Sequence, residues 1–102
     1  MLTEMIYRDR DNEIVLSCAE DRSPFDLDDA GITKVDVRID DEIVSSAIKP
    51  DEITWSGVVI TLKLGKVLPA GIGDGLHDGR IVVYADDWTN GLVWSELKFR
   101  IK

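Results

Sequence analysis

The most constraining feature is an unbroken two-residue alternation over residues 33–40. Thr33, Val35, Val37 and Ile39 fall on one side, and Lys34, Asp36, Arg38 and Asp40 on the other. Successive side chains of a strand point to opposite faces, so this pattern suits a half-buried strand and no helix. The same period recurs at Val58, Ile60, Leu62 and Leu64, and again at Leu97, Phe99 and Ile101 against Lys98, Arg100 and Lys102. No segment of ten residues carries a helical period. The chain therefore reads as all-β.

Further strands follow from turn chemistry. Residues 4–10 and 13–19 flank Asp11-Asn12, both of which tolerate the positive φ of a tight hairpin turn, so a first hairpin is expected there. Ser23-Pro24, with Asp26 three residues after the serine and Gly31 beyond, predicts one helical turn that plugs the core with Phe25 and Leu27. A short strand at 43–45, strands at 53–55 and 58–64 around Ser56-Gly57, and a strand at 80–85 complete the middle. Residues 65–79, with glycines at 65, 71, 73, 75 and 79, read as a long connection. Residues 86–91 read as a loop, with Asn90-Gly91 as a turn signal. Strands at 92–94 and 97–101 close the chain. Seven or eight short strands of irregular length predict one domain over residues 1–102, an immunoglobulin-like antiparallel β-sandwich.

Composition narrows the function classes. The 102 residues carry 12 Lys+Arg against 20 Asp+Glu, a net charge of -8, which opposes binding to nucleic acid or an anionic membrane. The imbalance is local: residues 1–31 hold nine acids and three bases, and residues 32–102 eleven and nine. That places an acidic face on the first hairpin and its loop. Charges scattered through residues 1–15 leave no apolar core for a signal peptide, and no apolar run approaches the ~20 residues of a spanning helix. The chain is expected to be soluble, and the lone Cys18 fits a reducing cytoplasm.

Chemistry-bearing patterns are sparse. Gly71-Ile72-Gly73-Asp74-Gly75 resembles a phosphate loop, but position 76 is Leu and no helix follows. Asp26, Asp28 and Gly31 match part of a calcium-hand loop, yet its twelfth position is Val37 where a bidentate Glu is needed. Cys18 alternates as a core residue and His77 lies in the glycine-rich stretch, so a thiol–imidazole pair is not expected. No catalytic residues, metal ligands or cofactor are assigned, and the chain reads as non-enzymatic. Trp55 and Trp94 lie in strand-like runs and read as core. Trp88 follows Asp86-Asp87: it is either an exposed binding anchor or folds back over the sandwich end. Asp86, Asp87, Trp88 and Asn90 are the candidate binding residues. As an anchor they suit a carbohydrate, and the same acids, or Asp40, Asp41 and Glu42, suit a calcium-stabilised surface domain.

Several segments together carry a resemblance. These are Tyr7-Arg8-Asp9-Arg10-Asp11-Asn12 before Ile14-Val15-Leu16, Ser23-Pro24-Phe25-Asp26-Leu27, and Ile53-Thr54-Trp55. Ile60-Thr61-Leu62-Lys63-Leu64-Gly65, Leu68-Pro69-Ala70-Gly71, Arg80-Ile81-Val82-Val83-Tyr84 and Asn90-Gly91-Leu92-Val93-Trp94 continue it. The chain resembles the small immunoglobulin-like virion modules of tailed phages and prophages, and is similar to the N-terminal domain of phage baseplate upper proteins. Ala85 stands between Tyr84 and Asp86 where such modules run directly from Tyr to Asp. The resemblance implies a tail or baseplate component made in the bacterial cytoplasm and assembled into a virion. Its partners would be other virion proteins or further copies of itself, and it supplies no catalytic or metal residues.

Overall fold

The computed structural model describes residues 2–20 and 22–102; Asp21, one of the nine N-terminal acids, lies outside them. Among the described residues there are ten strands and no helix. They are β1 (Thr3–Ile6), β2 (Ile14–Ser17), β3 (Ala19–Glu20), β4 (Ser23–Pro24) and β5 (Lys34–Ile39). β6 (Glu42–Ser45), β7 (Ile53–Ser56), β8 (Val59–Leu62), β9 (Gly75–Ala85) and β10 (Trp88–Ile101) follow. One sheet runs β1-β10-β9-β5-β6, a second β2-β8-β7, and β3-β4 form a two-stranded ribbon. The two larger sheets share one core in a sandwich-like arrangement. Val35, Val37, Ile39, Ile81, Val83, Leu97, Phe99 and Ile101 come from the first sheet, and Ile14, Ile53, Ile60 and Leu62 from the second.

The expected first hairpin is absent. β1 pairs in parallel with β10, Ile6 opposite Ile101, while β2 pairs antiparallel with β8 in the other sheet. Splitting the two strands places Ile6 and Ile14 on opposing walls of the core, where a hairpin would have put both on one. The backbone is satisfied by this route. Lys102 N–H donates to the Ile6 carbonyl at 2.9 Å, Arg8 N–H to the Lys102 carbonyl at 2.9 Å, and Asp9 N–H to the Gly65 carbonyl at 2.9 Å. Asp9 makes the turn at φ 63°. The acidic hairpin face goes with the hairpin: Asp11 pairs with Lys66 at 2.8 Å and Glu13 with Lys63 at 3.4 Å.

The helical turn expected from Ser23 starts three residues later. Ser23 belongs to the ribbon, and the Asp26 carboxylate accepts from the amides of Asp28 and Asp29, at 2.9 and 3.1 Å. An aspartate side chain satisfies the first amides of a turn as well as a serine does. Leu27 is fully buried and Phe25 half-buried, as expected.

The glycine-rich connection is shorter than read, because Gly75–Ala85 is one continuous strand. Gly79 faces inward opposite Leu97, and a Cβ there would lie 2.5 Å from Phe99 Cε2. The missing side chain makes room for the Phe99 ring; it does not mark a loop. Likewise residues 88–101 form a single strand, with register shifts at Trp88/Leu92 and Val93/Ser95 that let it bend around the sandwich end.

Candidate functional site

The four sequence-predicted residues gather at one end of the sandwich. Asp86 and Asp87 form an exposed two-residue turn, and Trp88 opens β10 opposite Ala85. The Trp88 indole is half-buried and stacked on Phe25, ring centroids 6.4 Å apart at 29°. Phe25 in turn meets Trp94 at 4.6 Å. The three rings cap the open end of the core. Asn90 is exposed, and Gly91 behind it has φ 83° with no room for a Cβ, 2.7 Å from Tyr84 and Val82 side-chain atoms. Cys18 lies at this end too, buried, its thiol pushed up by burial.

His77 sits at the opposite end, on β9 and not in a loop. Its Nδ1 is 2.6 Å from Asp40 Oδ2 and its Nε2 is 2.8 Å from the Gly73 carbonyl. Asp40, at φ 52° in the β5–β6 turn, also accepts the Asp78 amide at 3.1 Å. Both ring nitrogens face acceptors, an arrangement that is fully satisfied only when both carry protons. The hydrogen bond to Asp40 raises the His77 pKa, and the same bond lowers that of Asp40. With both ring nitrogens engaged, His77 is poorly suited to act as a base. It ties three pieces together: β9, the β5–β6 turn and the connection before β9. Arg8 braces the same connection, donating to the Ile72 carbonyl at 2.8 Å and pairing with Asp74 at 3.2 Å.

Of the acids considered for calcium, Asp40 is already engaged. Among the described residues, no three His, Cys, Asp or Glu side chains converge to hold a metal ion. Asp40 is bound to His77 and to the Asp78 amide. No helix is long and apolar enough to cross a membrane among the described residues.

A third region was not marked by sequence reasoning: the outer face of the five-stranded sheet. Alternation puts Asp36 on that face, and the register aligns Ser45, Asp36, Val82 and Val93 in one row across β6, β5, β9 and β10. Asp36 falls on the polar side of the alternation, yet it is only 6% exposed. Its Oδ1 is buried without a hydrogen-bond partner. Around it, Val93 and Ile43 remain 50% and 47% exposed. A signal was available in Ile81-Val82-Val83-Tyr84-Ala85, an apolar run without alternation, which marks a strand covered on both faces.

Comparison of the chain with protein-family models, curated proteins and solved structures finds no match.

Proposed function

We propose that the chain is a non-enzymatic structural and interaction module with an immunoglobulin-like fold, a prophage-derived tail or baseplate component that docks on other virion proteins. The observation that carries the fold reading is the strand order. β2, β8 and β7 correspond to the B, E and D strands of an immunoglobulin domain, and β5, β9 and β10, with β6 beside β5, to the C, F and G sheet and its added strand. The docking role is supported by surface left open in that arrangement. Sheet edges are sites for pairing unless they are blocked, and β2, an edge strand, is the uncharged stretch Ile14-Val15-Leu16-Ser17 with Val15 57% exposed. The virion assignment rests on the sequence resemblance described above.

The test is to purify particles from an induced lysogen carrying the gene and to quantify the chain by mass spectrometry. A fixed copy number per particle, comparable to known tail proteins, is the expected result. Absence of the chain from intact particles overturns the virion assignment.

A further inference from the structure

Resting on the reading of the chain as an interaction module, we infer that the β2 edge is occupied by a second copy of this chain. The β2 strand of that copy adds antiparallel to the first, about a two-fold axis through Leu16.

The backbone fixes which groups are free. Just past β2, Cys18 N–H donates to the Val58 carbonyl at 2.7 Å, so the Cys18 backbone faces β8. Bonding directions alternate along an antiparallel strand, and Val15 and Ser17 therefore turn their N–H and C=O groups away from β8. Among the described residues nothing bonds to these groups. Phe25 N–H donates to the Cys18 carbonyl at 3.1 Å, which puts β4 on the β8 side and leaves the β2 edge uncovered. The other edges are guarded. β1 contains Glu4, β6 opens with Glu42, and at β7 the Ile53 N–H is taken by the Lys49 carbonyl at 3.2 Å.

Charge and register select the occupant. No residue of β2, β7 or β8 is charged, in a chain whose residues are 31% charged. The acid just before β2, Glu13, is paired with Lys63 at 3.4 Å. Such an edge does not repel its own image, and exposed charges beyond about 8 Å are largely screened at physiological salt. With the axis at Leu16, Val15 lies opposite Ser17 of the second copy, and Ser17 opposite its Val15. Each of these pairs exchanges the bonds left free in the single chain. Glu13 falls opposite Ala19, so no acid meets an acid. Leu16, partly buried, meets its own image at the closer, non-hydrogen-bonded spacing. The result is one sheet running β7-β8-β2 in the first copy and β2-β8-β7 in the second, an isologous contact that closes at two.

The test is sedimentation of the purified chain from about 10 µM to about 1 mM, because an edge contact this short buries less than about 1,200 Å² and is reversible. A monomer–dimer equilibrium is expected. In a half-labelled sample, an interchain nuclear Overhauser effect joins the two Leu16 Hα atoms. Val15→Pro removes an outward N–H and no bond to β8, and weakens the dimer at least about tenfold. Val15→Lys keeps that donor but sets like charges on diagonal neighbours of the paired strands, with a loss of about tenfold as well. If Val15→Pro does not fold, Val15→Lys decides. A wild-type chain that stays monomeric at the highest concentration overturns the second-copy occupant and leaves docking on other virion proteins standing, which the particle measurement tests separately. A dimer unchanged in the folded variants, or one without the Leu16 contact, also overturns it.

Discussion

Gly79→Ala isolates one contact on which the five-stranded sheet depends. The added Cβ would stand 2.5 and 2.6 Å from Cε2 and Cδ2 of Phe99, well inside van der Waals contact. Phe99 is fully buried in the core, so its ring has nowhere open to turn. The φ of Gly79 lies outside the left-handed region, and alanine brings no backbone strain there. Overpacking a core by one methyl costs about 1–3 kcal/mol. Removing a glycine from the unfolded chain returns about 0.4–1 kcal/mol. The net loss is centred on about 1 kcal/mol with an upper end of about 2.6 kcal/mol, and in a domain of this size each kcal/mol lowers the melting midpoint by about 4–8 °C. Thermal unfolding followed by circular dichroism reads this directly. A double-mutant cycle with Phe99→Leu sharpens it. The smaller side chain leaves room for the methyl, so Gly79→Ala costs less in that background, with a coupling of about 0.5–3 kcal/mol. Equal costs in both backgrounds would refute the claim that the glycine serves the ring.

Two further outcomes follow from the ends of the sandwich. The raised pKa of His77 means that its contribution is fully present below its ordinary value of 6.5 and is lost as pH rises through the raised value. The lowered pKa of Asp40 means that its share is present above its ordinary value of 3.8 and is lost as pH falls through the lowered one. His77→Gln therefore destabilises most between about pH 4 and 6.5, and the deficit shrinks in alkali; a melting deficit that is identical at pH 5 and pH 9 contradicts the two-proton latch. Trp88→Ala uncovers Phe25 and costs about 2 kcal/mol, less than a fully buried tryptophan, as read by urea denaturation. Tryptophan fluorescence of the wild type stays unchanged on titration with oligosaccharides, whereas a saturable change abolished by Trp88→Ala restores the carbohydrate reading.

Local signals carried the strands but not their partners. The alternation at Thr33–Asp40 and at Leu97–Ile101 identified β5 and the end of β10, with Val35, Val37, Ile39, Leu97, Phe99 and Ile101 inward and Thr33 exposed, because period-two burial is written in consecutive residues. The parallel pairing of β1 with β10 joins positions some 95 residues apart, and nothing near Tyr7–Asn12 distinguishes a crossing between sheets from a hairpin. Glycine misled at position 79, since a residue without a side chain marks either a turn or a close approach, and only the Phe99 ring decides between them. The candidate site was legible in part. Asp86, Asp87, Trp88 and Asn90 do share one corner, but the stacking of Trp88 on Phe25 depends on a residue 63 positions earlier. The His77–Asp40 bond, spanning 37 positions, and the burial of Asp36 on a face shared by four strands left no comparable local pattern.

Hydroxyl-radical footprinting of the chain, free and within its purified assembly, tests the docking account most directly because it reads side chains one by one. Val15 and Leu16 on the β2 edge are expected to lose reactivity on assembly, while Trp88 reacts equally in both states. Protection centred on Trp88, or none at the β2 edge, would contradict it.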